Sequence, residues 1–455
     1  MDFLVTFFDY FSSLGNFVMI PLVIIVLGLA FRLKPVEALR SGMTIGIGLI
    51  ALDLVLGLIW NNITPITEIF VSKFHTNLTT IDIGWAAGAG LAYSTLIGTF
   101  IIPFTIVINA VLFVTRITKT INIDIWNYWH YAFTGSCIYV VTNSVLLAFA
   151  GAAFHCLVSL LVADITAKRI QKTMGIPGIT VTGGEVTALY PFAAALDKVY
   201  DLIFRKGEAK EFDTSKYKFL EVLTQPMFLG AIIGSILALM AGYPINGVLQ
   251  LAMQMAALMF LLPRAVKILM EGFIPLSNQV RDFMQRRYAN SDREINIGLD
   301  SAVLIGLPIC ISIGLIMIPI FLVLAPLTPF NTTLPLGDLA STCYLVTIPA
   351  IVHAKNGKPR FMRTLITCLI VMPFVLIFSS VFAPMITSIA QANAMDIPVG
   401  ALQVTCLEGN LWAWLTFEVL NHLEVVGVAV LAALSVAFVF IAKRIQKAEA
   451  ASEGV

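Results

Sequence analysis

Between Ile295 and Thr328 the sequence carries one charged side chain, Asp300, in the segment "NIGLDSAVLIGLP" and the apolar run that continues to Pro326. About 20 apolar residues are enough to cross a bilayer as a helix. Similar stretches recur at Leu14–Phe31, Gly42–Trp60, Leu96–Val114, Tyr131–Leu147, Val222–Ala241, Val248–Leu262, Ala302–Leu324, Leu365–Phe382 and Trp412–Ile441. The last is long for one crossing and reads as a hairpin end plus a span. Charged residues make up 12% of the chain, against roughly 25% in ordinary soluble domains. The expected fold class is an all-α polytopic membrane protein. About eleven transmembrane helices fit the hydropathy, with re-entrant hairpins in the shorter pieces broken by Gly and Pro.

Charge then orients the chain. Arg32, Lys34 and Arg40 follow the first stretch, and Lys443, Arg444 and Lys447 crowd the C-terminal tail. Lys and Arg mark cytoplasmic loops, so the N-terminus is expected outside and the C-terminus in the cytoplasm. That requires an odd number of crossings. The largest polar loop, Lys198–Lys218, is too short for a soluble domain. Arg264–Arg287 has apolar residues at helical spacing and reads as an amphipathic interfacial helix, or as an ordinary loop helix. The N-terminus has no Lys or Arg before Arg32, so it lacks the basic start of a secretory signal and is read as mature chain. A net charge of +1 gives no field for nucleic acid. Six cysteines are scattered without a CxxC pair, and five histidines show no metal-ligand spacing. No disulfide, metal or cofactor is expected.

Polar residues reveal a repeat. Asp82 in "TIDIGWAAGAG" matches Asp300 in "NIGLDSAVLIG", Asp124 in "NIDIWNYWH" matches Asp338 in "LPLGDLAST", and Glu185 in "TGGEVTALYP" matches Glu408 in "LEGNLWAWLT". The three pairs occur in order at similar separations. Two halves are expected: residues 1–221, then 222–441 including the last transmembrane helix, with 442–455 a cytoplasmic tail. An odd number of crossings in the first half would invert the second, the pattern of alternating-access transporters.

The same residues are the candidates for chemistry. A carboxylate in a spanning segment costs around 2.5–3.5 kcal/mol, so it normally faces a cavity or a partner. Asp300 therefore reads as functional, although it is also placed to cap the helix beginning at Ser301. Gly175–Pro191 is too broken for a regular span and too apolar for an ordinary loop. A buried re-entrant segment there would offer free backbone groups to sugar hydroxyls, and Cys406–Glu418 reads the same way. The aromatics of Asn122–Ser136 suit a membrane-interface belt, yet His130 and Thr134 share a helix face beside them, which also suits a carbohydrate-like ligand. The expected binding set is His130, Thr134, Gly183, Gly184, Glu185, Asp82, Glu408 and Asn410.

The blocks "NIDIWNYWHYAFTG", "EINIGLD", "LPLGDLA" and "PRAVKILMEGF" resemble the galactitol-type membrane IIC permeases of the bacterial sugar phosphotransferase system, and the resemblance runs along nearly the whole chain. A more distant similarity links these to ascorbate-type IIC permeases, where the carboxylate of a segment matching "GLDSAVL" acts on the substrate; this implies a catalytic role for Asp300. In those relatives a His with a Gln four residues on matches His130 and Thr134. A Gly-rich segment with His and Gln matches the stretch around Gly183, Gly184 and Glu185. Galactitol permeases carry Pro-His-Gly where this chain reads Thr182-Gly183-Gly184, a departure that bears on substrate. The resemblance implies an inner-membrane homodimer of inverted repeats, with a static scaffold and a moving core. It implies polyol translocation coupled to phosphorylation, with the phosphocysteine donor on a separate IIB protein fed by IIA. The alternative from the residues alone is a proton-coupled polyol symporter with Asp300 carrying the proton.

Overall fold

The computed structural model describes residues 16–51, 54–55, 78–203, 226–288, 294–305, 307–393 and 403–453. Gly306, most of the Lys198–Lys218 loop and the ends of the first two expected spans lie outside them. Among the described residues, five helices are long and apolar enough to cross a membrane. They are α1 (Leu96–Val114), α3 (Val145–Met174), α5 (Pro308–Leu327), α7 (Phe361–Ala392) and α8 (Leu411–Glu453).

Two stretches differ from the expected spans. Tyr131–Leu147 is not one crossing. Helix α2 (Trp129–Thr142) stops at Asn143, which takes the left-handed conformation at φ 50°. Ser144 then caps α3 by accepting the Leu147 amide at 3.3 Å. Only the uncharged Thr142, Asn143 and Ser144 mark this break in an otherwise apolar stretch, so hydropathy alone merges the two helices and misses the 30-residue α3. Residues 129–138 of α2 are all buried, which makes α2 an internal helix packed by α1, α3 and α8. The second difference is Ile245–Tyr288, a single 44-residue helix that joins the expected span to the expected amphipathic piece. It pairs with Pro226–Ala241. Helix α8 breaks at Glu424 (φ 46°, ψ −124°), which divides a short inner piece from a long outer one.

Among the described residues, six very short strands lie between these helices: β1 (Thr80–Asp82), β2 (Thr120–Asn122), β3 (Ile179–Val181), β4 (Asn296–Leu299), β5 (Thr333–Leu334) and β6 (Gln403–Thr405). They form two parallel sheets, ordered β5-β1-β6 and β2-β4-β3. Each central strand is contributed by the opposite half of the chain. The registers correspond: Thr80, two before Asp82, pairs with Gln403, five before Glu408. Gly298, two before Asp300, pairs with Thr180, five before Glu185. Extended backbone at membrane depth must find hydrogen bonds inside the protein, and side chains complete them at the sheet edges. Asn109 Nδ2 donates to Thr120 O at 3.0 Å while its Oδ1 accepts the Asn122 amide at 2.9 Å. Asn331 does the same for Thr333, at 3.0 and 2.9 Å.

Candidate functional site

β1 ends on an acidic side chain, Asp82, and each other strand is followed within a few residues by one: Asp124, Glu185, Asp300, Asp338 and Glu408. The centre is His130, in the first turn of α2, placed there by the tight 3₁₀ turn Trp126–Tyr128. Its Nε2 lies 2.5 Å from Glu185 Oε2 and its Nδ1 lies 2.9 Å from Glu408 Oε2. All three side chains are at most 3% exposed. Two carboxylates this deep need a cation, and the imidazole bridges them. Neither contact has hydrogen-bond geometry, so both ring nitrogens and the two facing oxygens remain under-satisfied. Such a group lends itself to rearrangement around an incoming hydroxyl.

The same three residues offer ligand atoms within 4.8 Å of one another. The geometry fits a metal poorly. The carboxylates sit on different ring nitrogens, so an ion bound at one nitrogen leaves the other carboxylate across the ring.

Thr134 sits one turn along α2 and reaches away from this centre. Its hydroxyl bonds His130 O at 3.2 Å and His155 Nδ1 at 2.7 Å. His155, wholly buried in the middle of α3, was not among the sequence candidates; a lone His in an apolar helix reads as core. Among the described residues its Nε2 has no hydrogen-bond partner, and it faces Gly184. A Cβ at Gly184 would lie 2.7 Å from both His155 Nε2 and His130 Cβ. Gly184 is thus required by the close approach of the His155 imidazole and the His130 Cβ. Gly183 precedes it, and Gly184 opens the short helix α4 (Gly184–Thr187), which carries Glu185. The broken segment is exposed over residues 175–177 and buried over 180–189, where it forms the end of β3 and α4.

Asn410 does two tasks. Its Nδ2 donates to Glu408 Oε1 at 3.1 Å, and its Oδ1 caps α8 by accepting the Trp412 and Ala413 amides at 3.0 Å. Asp82 is held by backbone amides. Its Oδ1 accepts the Gly84 amide at 2.9 Å and its Oδ2 accepts the Asp338 amide at 2.8 Å. Asp338 accepts the Trp85 and Leu407 amides at 2.7 and 2.9 Å. This pair is 0% and 2% exposed and knits the loops after β1, β5 and β6.

Asp300 does cap: its Oδ1 accepts the Ala302 amide at 2.6 Å. Unlike Asp82 it is half-buried. Asn127, Glu185 and His130 all lie near enough to act on its carboxylate, as does Tyr344 beside it. A narrow cleft, hardly wider than a water molecule, runs from Glu185 and Asn410 between the apolar side chains of Leu189, Phe374 and Phe378.

Long apolar helices, broken segments entering from both halves of the chain and a buried polar centre together define a multi-pass membrane permease. The chain matches the family described as the sugar-specific permease component of the phosphotransferase system over residues 10–400, and it belongs to that family. It is 36% identical over 425 residues to a permease IIC component of Escherichia coli strain K12, named by its class alone, covering 93% of this chain and 95% of that one. It is also 31% identical over 437 residues to the galactitol-specific EIIC components of E. coli K12 and O157:H7, covering 96% of this chain and 95% of each.

Proposed function

We propose that the chain translocates galactitol or a closely similar polyol and presents it for phosphorylation by a separate IIB phosphocysteine protein, itself charged by IIA. The observation that carries this reading is the buried His130–Glu185–Glu408 group, assembled from both halves of the chain where β3 and β6 end, with Asp300 at the end of β4 near enough to feel Glu185 and His130. His130, Glu185 and Glu408 exchange their mutual contacts for polyol hydroxyls, and His155 Nε2 joins them as an acceptor. Thr134 acts by holding His155, while Gly183 and Gly184 keep the backbone close. Asn410 fixes Glu408. Asp82 belongs to the framework. Asp300 takes the proton of the attacking hydroxyl; phosphoryl transfer otherwise depends on positioning and charge stabilisation.

The corresponding strand registers support two inverted repeats, 1–221 and 222–441, with about eleven crossings and re-entrant hairpins at β3–α4 and β6–α8. Strands β2, β3 and β4 start beside Lys119, Gly178 and Glu294, near the basic end of α3. Lys and Arg at that end favour the cytoplasm. Asp300 would then open toward the side where IIB docks, with the N-terminus outside and the tail inside. The narrow cleft fits a closed state of a core that moves against a scaffold, in an inner-membrane homodimer. A proton-coupled symporter is the second reading, favoured by an imidazole held on both nitrogens by carboxylates.

The test is uptake of a radiolabelled polyol panel into proteoliposomes with and without phosphoenolpyruvate and the IIA and IIB proteins. Accumulation as the phosphate ester, only with the partners present, is expected. Uptake of free polyol driven by a pH gradient would favour the symporter.

A further inference from the structure

Asp300 has a companion that the proposed reaction leaves unassigned. Strands β2 and β4 pair in parallel with Asn122 opposite Gly298. Asp124 and Asp300 each follow that pair by two residues, so the two carboxyl groups leave neighbouring strand ends side by side. The Ile123 amide still bonds Gly298 O at 3.3 Å, which keeps the two backbones together up to this point. Asn122 Oδ1 accepts the Asp124 amide at 3.0 Å and fixes the turn. Tyr128 donates to Asn122 O at 2.8 Å and holds the turn from the other side. Asn127, from the following 3₁₀ turn, donates through Nδ2 to Asp124 Oδ2 at 2.7 Å and lies within reach of Asp300.

The equivalent pair in the other sheet behaves differently. Asp82 and Asp338 are tied to four backbone amides and shut from solvent. Asp124 and Asp300 are both half-buried, and their bridge is a side-chain amide that can rotate. One carboxyl pair is a clasp; the other keeps the freedom to exchange a proton.

We propose that Asp124, held by Asn127, is the positioning partner of Asp300 and sets how strongly Asp300 holds a proton. The proposal rests on the phosphotransfer reading for its purpose. As the hydroxyl oxygen bonds to phosphorus, the bond from phosphorus to the partner's cysteine sulfur breaks and its electron pair leaves on sulfur. The hydroxyl proton passes to Asp300, and Asp124 shares it before it escapes to water. A second carboxylate beside the base makes the base a better proton acceptor, because two like charges side by side disfavour full ionisation. The other groups facing Asp300 are His130 from α2, Glu185 from α4 and Tyr344 from the short helix Thr342–Leu345. They are common to every variant below, so a change is attributable to the Asp124–Asn127 pair.

The direct test needs no substrate. Infrared titration of the full-length protein in lipid vesicles resolves protonated carboxyl bands, and the band lost in Asp300→Asn identifies Asp300. Asp124→Asn keeps the shape and removes the neighbouring charge. The Asp300 midpoint should then fall by about one pH unit. Asn127→Asp, equally isosteric, adds charge and should move the midpoint upward. Opposite shifts in two same-sized variants cannot come from general loosening. An Asp300 midpoint that stays put in both, or moves the same way in both, overturns the proposal. Phosphoenolpyruvate-dependent phosphorylation of galactitol, measured on the same variants, separates the two ideas. If Asp300→Asn phosphorylates normally while the midpoints shift, the pair exists but the phosphotransfer reading fails.

Discussion

His130 concentrates the energetic risk of the site. Removing it leaves Glu185 and Glu408 facing each other at 3% and 0% exposure. His130→Ala should cost about 3–5 kcal/mol, the usual penalty for breaking a buried ion pair. Adding Glu185→Gln should return part of that loss, and the pair's thermal unfolding in detergent tests the coupling. Simple additivity would mean that the three side chains do not share a charge. Glu185→Gln alone should weaken polyol binding by something like ~10-fold, because a carboxylate accepts hydroxyls better than an amide. A second cluster, at the basic end, is structural. Asp197 bonds His353 Nδ1 at 2.9 Å, Arg360 at 3.0 Å and Arg363 at 3.0 Å. Burial would raise the Asp197 carboxyl, but His353 and the two arginines outweigh it and hold it below the usual range. A lowered carboxyl stabilises the fold at neutral pH and loses that contribution only as pH falls below the ordinary carboxylate range. Asp197→Asn should therefore cost about 2 kcal/mol at pH 7 by leaving Arg363 short of charge. Asp201, 67% exposed on the same arginine, should matter by less than ~0.5 kcal/mol when changed to Asn. Thermal midpoints at pH 7 separate the two.

At the scale of elements, the broken segments are held by close approach. Gly184→Ala would drive a methyl group into His130 and His155, so transport should fall at least ~10-fold while the protein still inserts in the membrane. Gly175 is the contrast. It ends α3 at φ 69° with nothing within 4 Å of a new Cβ, and Gly175→Ala should cost about 1 kcal/mol of strain with transport retained. Uptake measured against membrane expression level tells these apart. Legibility in the sequence followed the same physics. Asp300, Glu185 and Glu408 stood out because a carboxylate in an apolar run is expensive. The strands did not, because two to four residues are too few for a period of two to be read, and three of the strands are buried throughout. The start of α3 was hidden because its cap, Asn143-Ser144, interrupts an apolar run without adding charge. His155 was invisible as a ligand candidate because only folding brings it against Gly184. Asp82 stood out on the same ground as Asp300, while its use of both oxygens for backbone amides depends on loops that only folding brings together.

Across the whole molecule, the two sheets carry two different pairs of carboxyl groups. The β5-β1-β6 end is closed by Asp82 and Asp338; the β2-β4-β3 end leaves Asp300 and Asp124 reachable. If the latter end faces the cytoplasm, a cysteine placed at Lys355 or Lys358, in the exposed turn beside the end of α3, should label only from inside. Labelling in intact cells would reverse the orientation and with it the side on which IIB meets the sugar. The central claim is that Asp300 is the base that activates the polyol. Its most direct test is Asp300→Asn, with galactitol binding and phosphoenolpyruvate-dependent phosphorylation measured on one purified preparation. The account predicts near-normal binding with phosphorylation reduced by about 100-fold or more, as losses of a general base usually are. Unchanged phosphorylation, or a loss of binding that fully accounts for the loss of turnover, would contradict it.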